Sequence, residues 1–251
     1  MEINKKYPLV KLGGTVIISA ASLIVSYLLS SRIMLRLVPA VSGFACPVGG
    51  FLYMWFTLTC LFLLGCKTGI TPEQSGLIPV KISVLWIISA VVIPAVVFAG
   101  LTSSVNISFN SNFYNIMYTV FFAGMGTAAA EEGVYRGMMK TAVERRWGKP
   151  AAYIIPALVQ AALFIILQKP GFVYSCTAVC FFLAQGMLLS LIVDKTGSIW
   201  NAAAVHAVWN ILFAGTLIRI PAQNTKVLLW STAAFATAAV LTAVYNPAEK
   251  K

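Results

Sequence analysis

Charged residues are scarce in this sequence, and acidic ones most of all. Of its 251 residues only 10% are charged and seven are Asp or Glu, whereas 59% are hydrophobic. A soluble domain of this length carries about a quarter charged residues, so the composition excludes an ordinary soluble protein. The 18 basic residues cluster at the ends of apolar runs, where membrane topology requires them. We therefore predict an integral membrane protein that lies in a lipid bilayer and binds no nucleic acid.

The sequence also lacks the usual patterns of metal and disulfide sites. It has one histidine, His206, and five cysteines, at positions 46, 60, 66, 176 and 180. None of the cysteines forms a close-spaced ligand pair with the histidine, so neither a zinc finger nor a disulfide framework is indicated. The N-terminus leads into a long apolar run without a clear cleavage site, so we interpret that run as a retained first span.

Long apolar runs are abundant. A helix that crosses a bilayer needs roughly 20 apolar residues, and the candidate spans are 9–30, 47–66, 82–101, 114–139, 150–168, 174–193, 198–218 and 226–245. The linkers are too short to hold a soluble domain. We therefore predict that residues 1–251 form a single all-α domain, a polytopic membrane protein of about eight transmembrane helices that enclose an intramembrane cavity.

The Lys and Arg residues of the loops predict the orientation in the membrane. If the N-terminus is cytoplasmic, twelve basic residues lie inside: Lys5, Lys6, Lys11, Lys67, Lys81, Lys140, Arg145, Arg146, Lys149, Lys195, Lys250 and Lys251. The outer loops then hold only five: Arg32, Arg36, Lys169, Arg219 and Lys226. We therefore expect a plasma-membrane protein with both termini in the cytoplasm.

Two adjacent carboxylates, Glu131 and Glu132, occur in the fourth span within the stretch AAAEEGVYRG. An ionisable group inside a bilayer costs about 2.5–3.5 kcal/mol on insertion scales. Arg136 lies four residues after Glu132, so the two share a helix face and can pair. Glu131 lies on the face of Thr127 and Tyr135 without a local cation, and an unpaired, desolvated carboxylate suits a general base. The alternative is a polar helix end that reaches toward the headgroups.

His206 lies eight residues into the seventh span, and Asn210 follows it on the same helix face. A lone histidine in a membrane is often only an interhelical hydrogen-bond partner. This pair, however, is expected at a depth similar to that of the two glutamates. Small residues precede both sets, in AGMGTAAA and NAAA, and let helices approach closely, so the two sets could meet.

These stretches resemble the CPBP family, which comprises CAAX proteases and bacteriocin-processing enzymes and is also called the Abi family. EEGVYR fits its Glu-Glu-x-x-x-Arg motif, and HAVWN fits its His-x-x-x-Asn motif. The middle motif, Phe-x-x-x-His, is degenerate, because FIILQ has Phe164 in place but Gln168 where histidine is expected. The resemblance covers residues 115–215, about two fifths of the chain.

The resemblance implies an intramembrane endopeptidase for a hydrophobic peptide or the membrane-proximal end of a protein. Glu131 would activate water with help from Gln168, and His206 and Asn210 would stabilise the oxyanion. The supporting residues would be Glu132, Arg136, Tyr135 and Phe164. Some family descriptions assign zinc through two histidines and a glutamate, but this chain has one histidine. We therefore expect no metal and no other cofactor.

Gln168 leaves other interpretations open, because glutamine cannot act as a base and is a poor zinc ligand. The chain could be a catalytically impaired relative that binds a peptide, or a partner such as a transporter or sensor kinase, in bacteriocin immunity or regulation. An unrelated transporter or lipid enzyme is disfavoured, since the sequence shows neither inverted repeats nor a basic phosphate pocket. The compact architecture favours a bacterial source, where CAAX prenyl processing is not expected. A straight fifth helix would carry Gln168 too far from the cytoplasmic side, so we expect that helix to break or to start at the interface.

Overall fold

The computed structural model describes residues 8–37, 45–79, 118–214 and 224–244, together with positions 83, 89, 92–93, 96–97, 108–109, 113, 116 and 218–219. Most of the predicted third span, 82–101, and the cysteine side chain at position 46 lie outside the described residues.

Helices make up nearly all of the described chain. They are α1 (Leu9–Leu37), α2 (Ala45–Thr68), α3 (residues 118–147), α4 (Lys149–Gln168), α5 (Phe172–Thr196), α6 (Ile199–Trp209) and α7 (Thr225–Val244). A π-helical turn, Asn210–Ala214, continues α6. Two short strands, β1 (Ser108–Phe109) and β2 (Ile218–Arg219), pair antiparallel.

Five described helices are long and apolar enough to cross a membrane: Leu9–Ile33, Val48–Thr68, Lys149–Gln168, Phe172–Thr196 and Thr225–Val244. A shorter apolar helix covers Ile199–Phe213. Large apolar side chains such as Val10, Phe172 and Val244 are strongly exposed on these helices, as expected for surfaces that face lipid. The predicted all-α, polytopic membrane fold is confirmed, whereas the count of eight spans stays a prediction.

Helix α3 alternates between π and α geometry. Its segments are π-helical Tyr118–Gly126, α-helical Thr127–Glu132, π-helical Gly133–Met139 and α-helical Lys140–Trp147. π-Helical turns are rare and frequently occur at functional sites. The two adjacent glutamates end the short α-helical segment that lies between the two π-helical ones.

Close packing of α2 against α3 requires glycine at their crossing. A Cβ atom placed on Gly126 would lie 2.6 Å from the carbonyl oxygen of Gly50, well inside van der Waals contact. The small residues of AGMGTAAA therefore let α3 approach its neighbour, as the sequence predicted. The alanines that follow, Ala128 to Ala130, are buried.

Helix α4 runs without interruption from Lys149 to Gln168, although it contains Pro156. The helix does not break, so that part of the expectation was wrong, whereas its start at the membrane interface stays a prediction. The expectation had rested on the assumption that Gln168 must reach Glu131. The continuous helix instead places Gln168 at its far end and Gln160, two turns earlier, at the depth of the glutamates.

Loops that the sequence assigns to one side of the membrane meet at one end of the helices. Arg145 Nη2 donates to the Gly69 carbonyl at 3.0 Å and to Gln74 Oε1 at 2.5 Å. Asp194 accepts from Lys149 Nζ at 3.1 Å. The strands β1 and β2 pair two segments predicted on the opposite side. The cytoplasmic location of the first end stays a prediction.

Candidate active site

Three helices bring the site together. Glu131, Glu132 and Arg136 come from α3, Gln160 comes from α4, and His206 comes from α6. Asn210 follows one turn later, at the start of the π-helical turn. The structure thus brings the two glutamates and the histidine together, as the motifs predicted.

Glu132 is completely buried, and one of its oxygens has two partners. Oε1 accepts a hydrogen bond from Arg136 Nη1 at 3.2 Å and lies 2.7 Å from His206 Nδ1. The pairing of Glu132 with Arg136 is the one that the sequence predicted. Because an ionised carboxylate only accepts hydrogen bonds, we assign a proton to His206 Nδ1. Glu132 therefore fixes the imidazole as well as Arg136, which the sequence did not indicate.

Gln160 links Arg136 to Glu131. Its Oε1 accepts a hydrogen bond from Arg136 Nη1 at 2.8 Å, and its Nε2 donates to Glu131 Oε2 at 2.9 Å. Gln160 is buried, so both atoms of its amide are used inside the protein. The family motifs did not single it out. The available signal was an amide in the middle of the apolar run of the fifth span.

The degenerate motif assigns Gln168 a role beside Glu131, and that role stays a prediction. Gln168 lies at the exposed C-terminal end of α4, eight residues after Gln160. Eight residues of helix correspond to roughly 12 Å at 1.5 Å per residue. Gln168 lines the same cavities as Glu131, but the described amide that bonds the carboxylate belongs to Gln160.

These hydrogen bonds form a ring of five side chains that is open at one point: Glu131, Gln160, Arg136, Glu132 and His206. The opening separates His206 Nε2 from Glu131 Oε2 by 3.9 Å. That distance is too long for a direct hydrogen bond. It allows one oxygen atom, from water or a substrate, to bond both groups from the side.

Two apolar cavities meet at Glu131, whose side chain is 24% exposed. One, of about 550 Å³, includes Tyr27, Tyr53 and Tyr135 in its lining. The other, of about 630 Å³, is lined by His206, Asn210 and several aromatic residues. Phe164 lines both cavities. Tyr135 also lies beside Arg136, whose guanidinium carbon is 5.6 Å from the centroid of the tyrosine ring. A hydrophobic segment could therefore extend to both sides of Glu131.

Two polar atoms of the ring remain without a partner among the described residues. They are Glu132 Oε2 and Arg136 Nη2, and both are fully buried. Buried polar groups of native proteins nearly always have a partner, which is often an ordered water. The site therefore has hydrogen-bonding capacity for water next to the ring.

The residues present do not fit the zinc site that some descriptions of the family assign. A catalytic zinc ion usually has three protein ligands. Glu132 Oε1 already binds Arg136 and His206, and Gln160 directs an N–H donor toward Glu131. The two groups that flank the 3.9 Å opening, Glu131 Oε2 and His206 Nε2, therefore lack a third ligand beside them among the described acidic, histidine and cysteine side chains. In the part of the chain that the structure describes, no group of three or more His, Cys, Asp or Glu side chains is arranged to hold a metal.

Residues 110–212 match a family model described as Rce1-like, type II CAAX prenyl endopeptidase Rce1-like. The matched range nearly coincides with residues 115–215, over which the motifs resemble the CAAX proteases, and it contains all three motifs. The match confirms the family resemblance. No curated protein and no solved structure matches the chain.

Proposed function

Since its central region matches the type II CAAX prenyl endopeptidases, we propose that this chain is an intramembrane endopeptidase that uses Glu131 to activate water without a metal. Its substrate is a hydrophobic peptide or the membrane-proximal end of a protein. The observation that carries the proposal is the 3.9 Å opening between Glu131 Oε2 and His206 Nε2. The opening lies where two apolar cavities meet.

The first step is the attack of water on the peptide carbonyl. A water molecule in the opening gives a proton to Glu131 while its oxygen bonds to the carbonyl carbon, and the carbonyl oxygen becomes an oxyanion. Glu132 holds His206 through Nδ1, so that Nε2, when protonated, donates to the oxyanion. Asn210 lines the same cavity and supplies a second donor. One such donor is typically worth about 10²–10³ in rate.

The second step is the collapse of the tetrahedral intermediate. Glu131 returns its proton to the amide nitrogen, the carbon–nitrogen bond breaks, and the products are a carboxylic acid and an amine. Gln160 bonds Glu131 Oε2 throughout. This bond holds the carboxylate in one orientation, because the other end of the Gln160 amide is held by Arg136.

A second function, in which the chain binds a peptide without cleaving it, is favoured by Gln168. This residue stands where the family has a histidine and lies at the exposed end of α4. A protein of that kind would act in bacteriocin immunity or regulation, with a membrane partner such as a transporter or sensor kinase. Turnover by the purified protein distinguishes the two functions.

The test is cleavage of a library of hydrophobic peptides by protein purified into lipid nanodiscs. We expect turnover that persists in the presence of a chelator and falls about 10²–10⁴-fold in Glu131→Gln, as for loss of a general base. Glu144→Gln is the matched control, since it makes the same change on the same helix at a side chain paired with Lys140 at 3.4 Å. Full turnover by Glu131→Gln would refute the mechanism. Binding of peptides without any cleavage by the wild type would favour the second function.

A further inference from the structure

Gln185 of α5 is a buried glutamine whose amide has no hydrogen-bond partner in the part of the chain that the structure describes. Its side chain is 1% exposed, and neither Oε1 nor Nε2 has a hydrogen-bond partner among the described residues. It lines the larger cavity together with Glu131, His206 and Asn210. None of the three family motifs includes this residue.

The two buried glutamines of the described chain differ sharply. Gln160 uses both ends of its amide within the protein, whereas Gln185 uses neither. A buried amide without a partner destabilises a protein by about 1–3 kcal/mol. An apolar residue at position 185 would avoid that cost, so the described part of the chain gives no structural reason for an amide there.

We propose that Gln185 binds the main chain of the substrate peptide in the larger cavity. This inference rests on the proposed function, because it deepens the description of the same site. A primary amide carries one acceptor oxygen and two N–H donors. It can therefore accept from an N–H of an extended peptide and donate to a carbonyl. Such recognition positions the peptide without selecting its side chains.

Close packing beside Gln185 fixes the position of its backbone at the cavity. A Cβ atom placed on the next residue, Gly186, would lie 2.5 Å from Cβ of Ala157 on α4. Helices α4 and α5 are thus in close contact at this point. In this proposal the amide reaches the peptide by rotation about the torsions of the Gln185 side chain, since the backbone is fixed.

The first test is peptide binding in the Glu131→Gln background, in which cleavage does not interfere. The probe is a fluorescently labelled peptide of Leu and Ala residues with a Lys end, added to nanodiscs. We expect Gln185→Leu to weaken binding roughly tenfold, as for the loss of one or two hydrogen bonds. Thr177→Val is the control on the same helix, because the described hydrogen bond of the Thr177 side chain goes to the Val173 carbonyl of its own helix at 2.9 Å. This variant should bind the peptide normally.

The second test uses peptides that carry one N-methyl group at successive main-chain nitrogens. At one of these nitrogens, N-methylation should weaken peptide binding to protein that has Gln185. The same N-methylated peptide should bind the Gln185→Leu variant as tightly as the unmethylated peptide does. An equal penalty at every position in both proteins would overturn the proposal, as would unchanged affinity of Gln185→Leu.

Thermal unfolding separates this role from a structural one. Gln185→Leu removes an unpartnered amide, so its melting temperature should equal or exceed that of the parent. Weaker binding together with a lower melting temperature would count against the proposal. If the wild type cleaves no peptide but Gln185→Leu still weakens binding, the catalytic proposal fails and this inference stands.

Discussion

At the scale of single residues, the two adjacent glutamates differ in their surroundings. Glu132 has no exposed surface and bonds Arg136 and His206, so it fixes both the fold and the histidine. Glu131 is partly exposed to the cavities and receives a hydrogen bond from Gln160. Adjacent positions on a helix point about 100° apart, which explains how neighbours can have such different environments.

The contrast between Gln160 and Gln168 yields a prediction at the same scale. Gln160→Leu should lower turnover at least tenfold, because Glu131 loses its described hydrogen-bond donor and Arg136 loses an acceptor. It should also lower the free energy of unfolding by about 1–3 kcal/mol. The measurements are peptide turnover and thermal unfolding.

Gln168→Leu is the matched control, since it makes the same change on an exposed residue of the same helix. We expect turnover within about twofold of the wild type, as for an exposed side chain whose loss leaves no buried partner unsatisfied. Greater loss of turnover in Gln168→Leu than in Gln160→Leu would restore Gln168 to the role that the motif assigns to it.

At the scale of helices, one carboxylate connects α3, α4 and α5 at the predicted cytoplasmic end. Asp194 of α5 bonds Lys140 of α3, and it accepts from Tyr153 Oη of α4 at 2.6 Å. Lys149, at the start of α4, adds an ion pair at 3.1 Å. Because α3 carries Glu131 and α4 carries Gln160, this connection helps to hold the site in register.

Asp194→Asn should therefore destabilise the protein. Lys140 is 7% exposed, and removing one partner of a buried ion pair costs about 3–5 kcal/mol. Asp194 is itself 15% exposed, so we expect a loss of about 2 kcal/mol. Thermal unfolding in nanodiscs measures it. The control is Lys149→Ala, because the Lys149 side chain is 62% exposed. This variant should lose less than about 1 kcal/mol of stability. Equal losses of stability in the two variants would contradict this account.

At the scale of the whole molecule, composition was sufficient to predict a helical membrane protein, and the order of the motifs predicted the resemblance of residues 110–212 to the CAAX proteases. Apolar runs reveal helices because length and hydropathy decide membrane insertion. The motif spacing also predicted that α3 and α6 bring Glu131 and His206 together. These features depend on local sequence, which a single chain displays directly.

The partners within the site could not be predicted in the same way. Which residue of α4 bonds Glu131 depends on the depth and course of an entire helix, so the motifs did not indicate Gln160. The orientation of His206 toward Glu132 depends on helix rotation, which a four-residue motif does not determine. The π-helical segments on both sides of the glutamates left no clear pattern in the sequence.

The most direct test of the central claim, that the two adjacent carboxylates have different roles, is a paired measurement on Glu131→Gln and Glu132→Ala. For each variant, thermal unfolding and peptide turnover are measured in the same nanodisc preparation. Glu132→Ala should lose about 3–5 kcal/mol of stability, because Arg136 is left as a buried charge without its carboxylate partner. Glu131→Gln should keep or raise the melting temperature and abolish turnover. If Glu131→Gln destabilises the protein as much as Glu132→Ala does, both carboxylates are structural and the account is contradicted.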